Sequence, residues 1–253
     1  MSIITLTTDF GTRDWFVGSM KGAMLSVNPH AVPVDITHEI PPGDIRAGAF
    51  ALAVSCRSFP RNTVHVAVVD PGVGSPRAAL VVRTSDYYFV GPDNGVLSIA
   101  LAKEKIVEIW RVENEIYFRQ PVSSTFHGRD IFAPVAAHLT LRILMDSLGQ
   151  QVTDYVQLDW PKPQVDGGLT RGEIVYIDHF GNAISNIESP EKTSGKVRVP
   201  NKVECELKKF YQEVPAGQPL AIAGSAGYLE IAVNAGSAAQ TFSLKLGDIV
   251  EVS

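Results

Sequence analysis

The sequence holds only two cysteines, Cys56 and Cys205, in 253 residues. Two distant thiols build neither a disulfide framework nor a cysteine-based zinc site, so both are expected as ordinary, buried or partly buried side chains. No apolar run reaches the roughly 20 residues that a helix needs to cross a bilayer; the most apolar stretch, 47–56, is far shorter. The amino-terminal MSIITLTTDFGTRDWF lacks a basic region followed by an apolar run, so no secretory signal is expected. Positive charge is not in excess either: 22 Lys and Arg stand against 27 Asp and Glu, a net charge of -5. A sequence-independent nucleic-acid binder would be basic, so no nucleic-acid partner is expected. Neither GxGxxG nor GxxxxGK[ST] occurs, and there is no HExxH or GxSxG. Phosphate cradling, a bound metal and a serine nucleophile on a sharp elbow are therefore not expected. A soluble, cytoplasmic protein with no membrane contact is therefore expected.

The sequence does carry the makings of a sizeable core. Apolar residues make up 45% and charged residues 19%, which excludes intrinsic disorder. The 21 Gly and 16 Pro follow no fixed period, which excludes collagen-like and coiled-coil chains. In the first half, β-branched runs at 3–8, 32–37 and 64–69 alternate with helical patterns. Two further strands are expected at 79–83 and 87–90. Phe16, Met20, Met24 and Val27 are spaced for one face of a helix over 13–27. Asp44 is placed to cap a second helix running to about Ser58, and 130–148 reads as a long third helix with Pro134 in its first turn. After a Pro- and Gly-containing stretch at 159–169, no long helical pattern returns. Short strands are expected at 173–177, 183–187, 196–199, 203–208, 220–223, 228–233, 241–245 and 248–252. The expected fold is an α/β domain over 1–158, a mostly parallel sheet flanked by helices, then a linker at 159–169 and a small all-β barrel over 170–253.

Ligands of an open parallel sheet bind beyond the carboxyl ends of its strands. Asp9 follows IITLTT and Asp70 follows VHVAVV, so both stand at such ends. Either alone could cap a turn; two of them, each followed by glycine, point to a site. Asp9 suits a ribose, because one carboxylate accepts from two neighbouring hydroxyls. Arg77 lies seven residues after Asp70 around a tight DPGVGSPR turn, which fits a turn-stabilising ion pair as well as a charged pair at a pocket edge. His127, in STFHGRD, precedes a helix start that favours its neutral form, with Asp130 as cap or first residue. GPDNG resembles a nucleotide loop only loosely, so a phosphate-free nucleoside fits better. In the second half, Asp178-His-Phe-Gly-Asn182 fits a hairpin turn, and also a base stacked on Phe180 and bonded by Asn182. Ser225 and nearby backbone offer further polar contacts. His30, His38, His65, His138 and His179 are read as structural or surface residues.

The ordered set LTTDFG, DITHEIPPGDIRAGAFAL, VVDPGVGSPR, VGPDNG, STFHGRDIFAP, IDHFGNAISN and GYLEIAVNAGSA, spanning 5–238, resembles the S-adenosyl-L-methionine (SAM) hydroxide adenosyltransferases. These are adenosine-forming hydrolases related to the fluorinating and chlorinating enzymes. The resemblance implies cleavage of SAM to adenosine and L-methionine without metal or other cofactor. It also implies a homotrimer whose sites lie between the first domain of one subunit and the second domain of its neighbour. The family's water-handling triad falls on Asp70, Arg77 and His127, and its ribose-binding aspartate on Asp9. Adenine and methionine contacts fall on Asp178, Phe180, Asn182, Ser225, Glu230 and the backbone of Val233, Asn234 and Ala235. Ala226 departs from the halogenating relatives, which carry an arginine there beside the methionine carboxylate. Two alternatives accompany this reading, halide transfer and a non-catalytic nucleoside sensor. Against the first, the halogenating enzymes replace the Asp70 equivalent with tyrosine and lack the triad histidine. The fluorinating enzyme also has a halide-binding serine at the place of Gly128 and an insertion that is missing between Val82 and Phe89. Against the second, a sensor needs the nucleoside contacts but not the whole triad.

Overall fold

The computed structural model describes residues 2–189 and 195–253, which divide into two compact units, Met1–Leu158 and Asp159–Ser253. The first unit contains β1 (Ser2–Thr8), α1 (Phe16–Val27), β2 (Ala31–Thr37), α2 (Ile45–Ser55), β3 (Val64–Val68), β4 (Ala79–Thr84), β5 (Tyr88–Pro92), α3 (Ser98–Leu101), β6 (Ile106–Arg111), α4 (Ala133–Thr140) and β7 (Gln151–Val152). The strands lie in the order β2-β1-β3-β5-β4-β6-β7. Pairing is parallel from β2 to β5 and antiparallel from β5 to β7, so the sheet is mixed with a parallel half. β3 is buried at every position, as a strand covered on both faces must be. Met20 and Met24 of α1 and the alanines 133, 136 and 137 of α4 pack with Ile4, Leu6 and Val66 in one core. The alanines let α4 approach the sheet closely. Buried His65 bonds Thr5 Oγ1 through Nδ1 at 2.8 Å, a structural role.

Asp44 caps α2, its Oδ1 accepting from the Ala47 N–H at 2.9 Å. The long helix expected over 130–148 does not form. Pro134 has no N–H to donate to the Asp130 carbonyl, which instead accepts from Arg119 N–H at 2.8 Å. The chain opens there into a π-helical turn, Gly128–Phe132, in which Ala133 N–H bonds Gly128 O. α4 ends at Thr140, and Arg142 takes a left-handed φ of 62° that no helix continues through.

The second unit contains β8 (Gln164–Asp166), β9 (Leu169–Ile177), β10 (Ala183–Glu188), β11 (Lys196–Val199), β12 (Val203–Lys208), β13 (Pro219–Ala223), β14 (Tyr228–Val233), α5 (Ala238–Thr241) and β15 (Ile249–Val252). Their order β10-β14-β13-β12-β11-β15-β9 closes through a β10–β9 pairing into a seven-stranded barrel. Alternate residues of β11 and β12 point inward to a core that includes Val197, Val199, Cys205 and Leu207. β8, inside the stretch read as linker, folds back on β9. The strand expected at 241–245 does not form: α5, started by Ser237 Oγ accepting the Gln240 N–H, ends at Thr241, and Ser243 takes a left-handed φ of 50°. Among the described residues no helix is long and apolar enough to cross a membrane.

Candidate active site

β1 and β3 are parallel neighbours, so Asp9 and Asp70 leave the sheet at the same edge. The backbone before Asp70 is held from two sides. Asn94 of the GPDNG loop donates from Nδ2 to Val69 O at 2.9 Å. On the other side α2 approaches so closely that a Cβ on Gly48 would stand 2.8 Å from Val69 Cγ2.

The turn after Asp70 brings Arg77 back onto it. Arg77 Nε donates to the two carboxylate oxygens at 3.0 and 2.9 Å, and Nη2 donates to Oδ2. The carboxylate is 4% and the guanidinium 11% exposed, so this is a fixed, largely desolvated pair rather than a surface contact. Nη2 also stands 2.9 Å from His127 Nδ1. A guanidinium only donates, so Nδ1 is the acceptor and the ring hydrogen of neutral His127 sits on Nε2. Burial first, and then the Arg77 charge, hold His127 below the usual histidine range, against the opposite pull of Asp70 and Asp130. Asp70, Arg77 and His127 therefore form one contiguous unit.

His127 owes its place to the turn around it. Fully buried Asp130 accepts Ser123 N–H at 2.9 Å and pairs with Arg129. It thus staples the STFHG turn rather than capping a regular helix. Gly74, at a φ of +81°, lies against this turn: a Cβ there would stand 2.4 Å from Ser124 O. Asp9 Oδ2 accepts Gly43 N–H at 2.8 Å. Gly43 in turn packs at Pro71, a Cβ on it lying 3.8 Å from Pro71 Cβ. The ring of Phe10 meets Phe126 edge-on at 5.9 Å. Asp9 is thereby tied to both the Asp70 turn and the His127 turn.

The second unit gathers the other candidates. Both oxygens of Asp178 accept from Asn182, Oδ1 from its backbone N–H at 2.8 Å and Oδ2 from Nδ2 at 2.9 Å. Buried Glu230 stands near this hairpin; burial, then the Asp178 charge, push its carboxyl above the usual range. Tyr211, which the sequence did not single out, stands close to them. Its phenol is pushed up by burial first and then by Glu230 and Asp178. Phe180 is 74% exposed, with its ring free to stack. Ser225 is exposed in the turn between Gly224 and Gly227. Val233 is buried and Ala235 turns the chain at a φ of 55°. Asn234 donates from Nδ2 to Val214 O at 2.7 Å, its N–H to Gln218 O at 3.1 Å, and its carbonyl accepts Gly217 N–H at 2.8 Å, which fixes this stretch of backbone. Among the described residues, no three His, Cys, Asp or Glu converge on a possible metal position.

Comparison with known proteins agrees with this division. Residues 4–149 match the family profile of the SAM hydroxide adenosyltransferase N-terminal domain, and residues 172–251 match that of its C-terminal domain. An (R)-S-adenosyl-L-methionine hydrolase of Methanocaldococcus jannaschii is 38% identical, the match covering 100% of this chain and 96% of the relative. A Fluorinase of an Actinoplanes species is 27% identical over 99% of this chain and 97% of its own. The crystal structure of an uncharacterized conserved protein from Thermotoga maritima superposes with a TM-score of 0.93 at 40% identity, covering 99% of both chains.

Proposed function

Because the chain belongs to the SAM hydroxide adenosyltransferase family, we propose that it hydrolyses S-adenosyl-L-methionine to adenosine and L-methionine. The observation that carries the reading is the joined Asp70–Arg77–His127 unit at the carboxyl edge of the sheet. The leaving group is the neutral thioether of methionine, so departure is easy and the work lies in delivering a nucleophile in line with C5′. Water bound at the triad attacks C5′, the C5′–S electron pair goes to sulfur, and one proton leaves the water.

The hydrogen-bond directions divide these tasks. His127 presents Nε2–H, which donates to the water oxygen and stabilises the charge it develops. It does not take the proton, because Nδ1 is engaged by Arg77 and Nε2 already carries hydrogen. Asp70 orients the water and accepts its proton, and Arg77 holds both partners in place. Asp9 receives the ribose hydroxyls. Asp178, Phe180, Asn182, Ser225, Glu230 and the backbone of Val233, Asn234 and Ala235 receive adenine and methionine, which supplies the orientation that makes the attack effectively unimolecular. No step calls for a metal or another cofactor. Gly128 supports water over halide: a Cβ there would lie 3.1 and 3.2 Å from the Phe10 ring and 3.3 Å from Met20 Sδ, so a serine would fit only if these side chains shifted by a few tenths of an ångström.

The working form is a homotrimer with sites shared between subunits, a reading supported by family membership and by the split of candidate contacts between the two units. A cytoplasmic location suits the two free, buried cysteines. Chromatography of SAM incubated with protein stripped of nucleoside tests the activity. Adenosine and methionine should appear equally with and without a chelator; no adenosine, or activity lost to chelation and restored by a divalent ion, would overturn the reading. The same assay on trimers reassembled from Asp70→Ala and Asn182→Ala subunits tests the shared site. Recovered activity is expected, and none in confirmed mixed trimers would place each site within one subunit.

A further inference from the structure

The turn that carries Asp9 is gripped on both sides of that residue by one buried histidine. His38 is 3% exposed and follows β2, the parallel neighbour of β1. Its Nδ1 lies 2.8 Å from Thr8 Oγ1, and its own carbonyl accepts Gly11 N–H at 2.7 Å. Phe10 N–H donates to Thr8 Oγ1 at 3.3 Å. The Thr8 hydroxyl accepts that hydrogen and also bonds the His38 ring. His38 Nε2 stands 3.0 Å from Asp35 Oδ1. Asp35 is anchored in turn by Lys21 Nζ, 2.6 Å from Oδ2. Nε2 makes no aligned hydrogen bond, so Asp35 faces the ring only as a nearby charge, and the grip on the Asp9 turn rests on the Thr8 and Gly11 contacts.

Gly11 makes the grip necessary. It sits at a φ of +67° and has no side chain to pack, so on that side the sharp turn is held by its backbone bond to His38 and by the Phe10 ring against Phe126. Asp9 itself has one backbone N–H, from Gly43, on Oδ2. That single bond leaves the carboxylate free to swing about its own turn unless the flanking residues are fixed. His38 fixes Thr8 through its side chain and Gly11 through its carbonyl.

We propose that His38 is a positioning residue for the ribose contact, holding the Thr8–Gly11 turn so that the Asp9 carboxylate meets both ribose hydroxyls. This rests on the ribose reading of Asp9 above, and the test separates the two. Calorimetric Kd values for adenosine and for 2′,3′-dideoxyadenosine are measured on the full chain. Asp9→Asn should weaken adenosine and spare the dideoxy compound, which has no hydroxyls for Asp9. His38→Leu should raise the adenosine Kd about tenfold and leave the dideoxy Kd within about twofold, the scale of a lost charge-assisted contact. His38→Asn, whose amide oxygen falls near the position of Nδ1, should recover most of the loss. Thr8→Val cuts the same link from the other side and should reproduce the selective loss, which covers the case that His38→Leu does not fold. If Asp9→Asn is selective while the His38 and Thr8 variants weaken both nucleosides alike, or neither, the positioning role is wrong. If Asp9→Asn is itself not selective, the ribose reading falls and the inference with it.

Discussion

His127 is the residue whose chemistry is most tightly specified by its neighbour. A positive donor at Nδ1 leaves room for a lone pair and none for a proton. Protonation below the ring's pKa would set N–H against the Arg77 guanidinium and break the contact. Since burial and Arg77 lower that pKa from 6.5, the neutral ring persists into mildly acidic solution. The sign follows: kcat/KM should be flat through pH 7 and fall on an acid limb whose midpoint lies below pH 6.5, at the same pH at which the His127 ring titrates by NMR. A ring that titrates above 6.5, or activity that rises as it protonates, would refute the assigned tautomer. At this scale the sequence was informative where partners are close along the chain. The Asp70 to Arg77 spacing already implied a paired turn, and Asp44 announced its cap. The approach of His127, 50 residues beyond Arg77, has no local signature and came only from resemblance. Tyr211 had no signature either, because the groups near it, Asn182 of the β9–β10 turn and Glu230 of β14, are distant in sequence.

Elements set the distances between these residues through a few close approaches that only glycine allows. The Asp70–Arg77 turn abuts the STFHG turn at Gly74, where a φ of +81° coincides with a Cβ position 2.4 Å from a backbone oxygen. Gly247 has almost the same φ, +82°, in open space. Gly74→Ala and Gly247→Ala should each cost stability by roughly 1–3 kcal/mol for the strained backbone. Only Gly74→Ala must also push the two turns apart, and a displacement near 1 Å at a reacting group lowers the rate by about 100-fold. Thermal melts and kcat on the two variants check this, and equal kcat in both would show that the two turns are not coupled through Gly74. Element type was readable wherever period and caps decided it, as in α1, α2 and the barrel strands. It failed where a single residue turns the chain out of its pattern. The helix expected over 130–148 stops at Thr140, before Arg142 takes a left-handed φ of 62°. The strand expected at 241–245 is interrupted by Ser243, at a φ of 50°.

At the scale of the whole molecule, the proposed reaction draws on both units. The mixed sheet carries the proposed triad and the Asp9 turn at a single edge, while the barrel carries an exposed aromatic ring and a paired Asp178–Asn182 hairpin beside a buried Glu230. The alternation of strands and helices, followed by strands alone, was legible as two fold types, but the antiparallel half of the sheet was not. The pairings of β4, β6 and β7 depend on which edge each strand reaches, and periodicity does not encode that. The central claim is that water, directed by Asp70, Arg77 and His127, attacks C5′ directly. A single turnover of SAM in oxygen-18 water with enzyme in excess tests it most directly. Adenosine carrying the label at its 5′-oxygen in that first turnover is the predicted result. Unlabelled adenosine would contradict it, because the oxygen would then have come from the Asp70 carboxylate acting as a covalent nucleophile.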